Sequence, residues 1–338
     1  MDPTARPGTT DLALVECTRG ELVESVHRGS VCLVASDGHR LLGVGAVDEP
    51  FFARSTLKPF QLVAMLRNGL RLPEELLALA TSSHSGSRRH REGVRGILAL
   101  HGQDEHVLAN AAALPLGEAE REEWLRDGNG PVPLCHDCSG KHAAMVATCV
   151  VNGWSLEDYL SPEHPLQKAI ATTLAELTGE RPGTVSVDGC GAPLFGLTLH
   201  AVARGYAVLA SAVAQTAEGR VATAMRRFPE MVGGDGRDVT QLMRAVPGLV
   251  AKDGAEGVQT LAVPGGTGVA IKIADGADRA RLPVTLAVLE RLGVDAEVLR
   301  SVPVPPVLGG GRPVGVVRVA DEMRRALVPL LGDRGPNG

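Results

Sequence analysis

Apolar and polar positions alternate through LALVECTRGELVESVHRGSVCLVASDGHRLLGVG. That pattern predicts successive strands, with turns at Arg19-Gly20 and Asp37-Gly38-His39. The period then lengthens. LKPFQLVAMLRNGL, PEELLALATSSHSG and REGVRGILALHG read as amphipathic helices, the second running toward Ser82 and Gly86. CSGKHAAMVATCVVNG predicts a helix with a polar first turn, and HPLQKAIATTLAELTG one closed by Gly179. FGLTLHAVARGYAVLA and a helical stretch through Arg227 follow. GLVAKDGAEGVQTLAVPGGTGVAIKIADG returns to strands joined by glycine turns, and LPVTLAVLERLG is a last long helix. Strands at both ends with helices between them predict a mixed α/β fold (α+β). Its sheet comes from N- and C-terminal segments, with a helical lobe at roughly 60–180. The expected organisation is a disordered tail over 1–11 and one two-lobed catalytic unit over 12–332.

The 338 residues suffice for a large core, and with 44% hydrophobic but only 3% aromatic residues that core must be aliphatic. A net charge of -5 without a basic block argues against nucleic acid as a partner. No apolar run reaches the length of a membrane span, and the first residues lack a secretory pattern, so a cytoplasmic location is expected. In such a reducing compartment the six cysteines suggest metal or catalytic use rather than disulfides.

Three polar groups stand out in chain order. RSTLKPFQ puts Ser55 and Lys58 one helical turn apart, where a neutral amine can take a hydroxyl proton. Alone, S-x-x-K is a frequent spacing and fits a solvated helix start equally well. SSHSG at 82–86 adds hydroxyls and an imidazole. AKDG ends an apolar strand in Lys252 with a glycine two residues on, like the K-T-G element of penicillin-recognising serine enzymes. The ordered triplet says more than any member. CHDCSGKH and VDGCGAP supply the densest set of metal-ligating types, and spacing alone points to a zinc tetrad of Cys135, Cys138, His142 and Cys190. A packed thiol pair or a redox dithiol fits the C-x-x-C equally. PGGTG reads as a hairpin turn, Cys17, Cys32 and Cys149 as core, and His27 as structural.

VESVHRG, RSTLKPFQ, SSHSG, CSGKH, VDGCGAP, AKDGAEGV and GVAIKIADG, in that order from about Leu12 to the final helix, resemble the asparaginase II family of the Rhizobium etli inducible type. The resemblance implies a serine β-lactamase/transpeptidase-like and glutaminase-like fold, a central antiparallel-rich sheet flanked by helices with a helical lobe. It further implies a homodimer and hydrolysis of L-asparagine to L-aspartate and ammonia. By motif it assigns two serine–lysine tandems, Ser55 with Lys58 and Ser83 with Lys252; Ser82, Ser85 and Ser87 are the alternatives to Ser83. It replaces the zinc tetrad by Cys138, Lys141 and Cys190 with water. Asp188, His142 and Cys135 then lie beside the metal or face the substrate. Asp137 stands where many relatives have Asn, and Ser87 where an acidic residue is common.

The mechanism expected on this basis has Ser55 attacking the side-chain amide carbon while neutral Lys58 takes its proton. Ser83 and Lys252 relay it to the departing ammonia. Arg54 grips the α-carboxylate, and zinc positions the substrate. Two rival readings remain: a related serine amidase acting on glutamine or another amide, and a zinc-containing amino-acid binding protein.

Overall fold

The computed structural model describes residues 11–331, so the expected tail over 1–11 lies outside the described residues but for Asp11. The strands are β1 (Leu12–Arg19), β2 (Leu22–Val34), β3 (Arg40–Val44), β4 (Pro50–Phe52), β5 (Val185–Val187), β6 (Pro193–Thr198), β7 (Val250–Gly254), β8 (Val258–Val263), β9 (Thr267–Ile273), β10 (Val307–Gly309), β11 (Arg312–Gly315) and β12 (Val317–Val319). Seven form one antiparallel sheet in the order β12-β1-β2-β9-β8-β7, with β3 on the second half of β2. The run Val31–Val34 is buried throughout, as an unbroken apolar strand covered on both faces must be.

The helices are α1 (Lys58–Arg67), α2 (Glu74–Ala80), α3 (Arg88–Ala99), α4 (Glu118–Arg126), α5 (Ser139–Asn152), α6 (Pro165–Thr178), α7 (Leu199–Ser211), α8 (Ala217–Arg227), α9 (Pro229–Val232), α10 (Asp238–Ala245), α11 (Arg281–Arg291), α12 (Ala296–Arg300) and α13 (Asp321–Ala326). α7 lies along β9, β2 and β8. It comes so close that a Cβ on Gly268 would meet the Ala203 carbonyl oxygen at 2.0 Å. α1, α2, α3, α5, α6 and α8 pack on one another as a helical lobe. This is the mixed α/β layering expected: an antiparallel sheet, flanking helices and a helical lobe. No helix among the described residues is long and apolar enough to cross a membrane. All six cysteines are free and buried.

Two local departures matter for the site. α2 stops at Ala80, so Ser82–Gly86 is an extended segment rather than a helix end. Its backbone is pinned on both sides: the Ser83 and Ser85 amides donate to the Val232 and Gly233 carbonyls, and the His84 amide donates to the Asp137 carbonyl. The second departure is a small antiparallel sheet, β4-β6-β5. Its outer strands have three residues each, too short for an alternation to register, and FGLT merges in the sequence with the helix after it. β4 leads through Ala53 to Arg54, and β5 is followed directly by Asp188.

Candidate active site

Four segments far apart in sequence meet at one point. Arg54–Leu57 form a 3-10 turn that passes Ser55 into Lys58, the first residue of α1, whose start is fixed by Pro59. Lys252 sits mid-strand on β7. The strand can lie against that turn because Gly254 has no side chain: a Cβ there would stand 3.1 Å from the Ala53 carbonyl oxygen. The pinned loop brings in Ser83, and the start of α5 brings in Asp137 and Cys138.

Ser83 Oγ is the shared partner of both lysines, 2.7 Å from Lys252 Nζ and 3.1 Å from Lys58 Nζ. Lys252 Nζ also donates to the Asp253 carbonyl (2.8 Å) and to Asp253 Oδ1 (2.6 Å). Lys58 Nζ donates to the Ser82 carbonyl at 2.5 Å and lies 3.7 Å from Asp137 Oδ2. Both amines are buried, yet their environments pull them apart. Burial, with the Lys58 charge nearby, pushes Lys252 down to about 8 against the attraction of Asp253. Burial also opposes charge on Lys58, but the Cys138 sulfur and the Asp137 carboxylate outweigh it and hold that amine above the ordinary lysine range.

Two sequence expectations therefore need correction. The amine whose pKa is pushed down is Lys252, whereas Lys58, the expected neutral base, is held above the ordinary lysine range. The direct Ser55–Lys58 hydrogen bond is not made: Ser55 Oγ has no hydrogen-bond partner among the described residues, because the Lys58 ammonium is drawn instead to Ser82, Ser83 and the negative pair Asp137 and Cys138. Ser55 is buried and follows Arg54 in the chain.

Arg54 Nε donates to Asp188 Oδ1 at 2.9 Å, and the Gly189 amide donates to the same oxygen. Arg54 adopts φ +54; among the described residues only Glu256, at +64, is another non-glycine residue in this region. Holding a side-chain-bearing residue there costs on the order of 1–3 kcal/mol, a strain that concentrates at functional sites. Glu256 lies in the β7–β8 turn, two residues beyond Gly254, where a side chain would crowd Ala53 and Thr56.

Cys138 and Cys190 pack together in a small buried cluster with Ala192 and Leu160. Contact with Cys190, with Lys58 beside it, holds the Cys138 thiol pKa well below its usual value, while the same contact and burial push the Cys190 thiol up. Lys141 Nζ donates to Cys190 Sγ at 3.2 Å. Two adjacent thiol sulfurs with an amine on one of them make a soft donor set that fits zinc.

The tetrad suggested by spacing is not gathered. Cys135 ends a 3-10 turn, and burial raises its thiol pKa beside Arg91 and Arg95 of α3. His142 Nδ1 lies 3.0 Å from Tyr159 Oη, while its buried Nε2 has no partner. Among the described residues, the group of three His, Cys, Asp or Glu side chains whose ligand atoms lie within 4.8 Å of one another is His136, Asp137 and Cys138. His136, which spacing arguments passed over, is raised to about 9: burial opposes its charge, but Asp137 at 2.9 Å and the Cys138 sulfur prevail. Its signal in the sequence was adjacency to Asp137 and Cys138 alone.

The family model described as L-asparaginase II matches residues 15–319. No curated protein matches the chain. Two solved structures of Mglu, one in its native form, are 16% and 17% identical over 80% of this chain and 69% and 66% of theirs, each with a TM-score of 0.35. EstCE1, a hydrolase with promiscuous acyltransferase activity, is 13% identical over 73% of this chain and 88% of its own, with a TM-score of 0.37. The chain spans about two-thirds of the length of the Mglu chains, and similarity this slight carries nothing about substrate.

Proposed function

The chain belongs to the L-asparaginase II family, and on that premise we propose that it hydrolyses L-asparagine to L-aspartate and ammonia through a serine–lysine relay and an acyl-enzyme. The observation that carries this reading is Ser83 Oγ held between two buried lysine amines with opposed charge preferences. Groups whose environments drive their pKa values apart are the mark of an acid–base pair.

Ser55 attacks the side-chain amide carbon. Its hydroxyl is free of hydrogen bonds within the described residues, whereas the Ser83 hydroxyl is committed to two amines. In the resting site Lys252 supplies the lone pair. It takes the Ser83 proton, Ser83 takes one from Lys58, and Lys58, now neutral, turns to Ser55 and accepts its proton. Reversing the chain delivers the proton to the leaving nitrogen, which departs as ammonia and leaves an aspartyl ester on Ser55. Water then hydrolyses the ester through the same relay. A second reading, in which Ser83 itself attacks, is favoured by its contact with Lys252; peptide mapping of trapped acyl-enzyme separates the two.

Arg54 and Asp188 offer a charge pair complementary to an amino-acid zwitterion, the guanidinium for the α-carboxylate and the carboxylate for the α-ammonium. Cys138, Lys141 and Cys190 are the residues to hold zinc. Bound there, it supplies a fixed positive charge that positions the substrate, and Lys141 must give up its proton to ligate. The homodimer implied by the resemblance belongs to the same proposal, and light scattering in solution tests it.

The experiment is ammonia release from asparagine, glutamine and a chromogenic β-lactam. Asparagine as the preferred substrate supports the proposal. Preference for another amide moves the reading to a related serine amidase. Binding of asparagine without turnover leaves an amino-acid binding protein.

A further inference from the structure

We propose that Asp253, clamped by Arg237, is the positioning residue that aims the lone pair of Lys252 at the Ser83 hydroxyl. This rests on the serine–lysine reading above.

A neutral amine has two N–H groups and one lone pair. Around Lys252 Nζ both donor directions end on Asp253, at its carbonyl oxygen (2.8 Å) and at Oδ1 (2.6 Å). The remaining direction leads to Ser83 Oγ at 2.7 Å, so that direction is the lone pair's. Adjacent residues of a strand point to opposite faces, so Asp253 needs an outside hold to meet its neighbour's amine. Arg237, just before α10, provides it: Nη2 donates to Asp253 Oδ2 at 2.5 Å and Nη1 to the Ser83 carbonyl at 3.4 Å. One guanidinium thus ties the orienting carboxylate to the backbone of the serine it serves.

The other charges around this pair are Lys58 from α1, which faces Lys252, and Arg281 from α11, which faces Asp253 and is itself paired with Asp238 and Asp278. Arg54 stands in the adjoining turn. Facing strand β8 offers only neutral Gln259 and Thr260, and α8 turns Val221, Ala222, Ala224 and Met225 inward.

The test is the pH dependence of kcat/KM for asparagine in folded, full-length variants, with folding checked by circular dichroism. Asp253 favours the charged amine and Arg237 disfavours it. Asp253→Asn should therefore move the acidic limb about 1 pH unit lower, and Arg237→Gln should move it higher. In both, kcat falls by about tenfold or more while KM stays within about twofold, because aim rather than binding is lost. Arg237→Lys should restore the limb in part. Losses of rate with the limb unmoved in both variants overturn the inference and leave Asp253 a structural residue. If Asp253→Asn does not fold, the Arg237 variants decide by the same criterion. Full activity in Lys252→Ala and Ser83→Ala instead refutes the underlying relay, a separate failure.

Discussion

Lys252 and Ser83 are 169 positions apart in the chain, and their side chains meet at 2.7 Å in a buried site. The contact joins an edge strand of the main sheet to the pinned loop after α2. It makes an amine whose charged form is disfavoured by burial the neighbour of a buried hydroxyl.

The first consequence is a pH profile. Lys252 is pushed down to about 8, first by burial and then by Lys58, and only its neutral form accepts a proton. Below that value the neutral fraction falls about tenfold per pH unit, so kcat/KM for asparagine should climb from pH 6 and level off above about 8. A rate flat from pH 6 to 9 contradicts this assignment.

On the proposed reading Arg54 and Asp188 bind the substrate. Removing either partner leaves the other charge without its mate and would take away one end of the proposed zwitterion clamp. Arg54→Ala and Asp188→Asn should each raise KM for asparagine by about tenfold or more, the size of a lost charge-assisted hydrogen bond of about 1.5–3 kcal/mol. Initial-rate kinetics check this; an unchanged KM in both variants removes the pair from substrate recognition.

Metal content separates the two cysteine sets. Cys190→Ser should lose most of the zinc measured by mass spectrometry of the purified protein, whereas Cys135→Ser should keep it, because Cys135 faces Arg91 and Arg95 rather than the Cys138–Cys190 pair. Chelation should lower the melting temperature and raise KM, since a ligand bound by the folded state alone stabilises it by mass action. Equal zinc in both variants contradicts this donor set.

The sequence carried the long elements well, and for a physical reason. Runs such as Leu22–Val34 and Ser139–Asn152 bury enough side chains that their periodicity is forced by the core. Its ordered motifs also held Lys58, Ser83 and Lys252, whose side chains the fold brings into contact. What it could not carry was which amine has its pKa pushed down and which has it raised. That depends on Asp137, Cys138 and Asp253 converging on one side or the other of Ser83, and on a loop pinned by Val232 and Gly233. The three-residue strands β4 and β5 were invisible for want of length, although they aim Arg54 and Asp188 at each other. Arg237 gave no local signal at all, since its role is defined by a partner 16 residues away.

The most direct test of the relay is ammonia release from L-asparagine by the wild type, Ser55→Ala and Ser83→Ala, each with its fold verified and its zinc content matched. Wild type should turn over asparagine, while both alanine variants fall by about a thousandfold or more, as when a nucleophile or its proton path is removed. Wild-type rates in the two folded variants would contradict a hydrolysis carried by these serines.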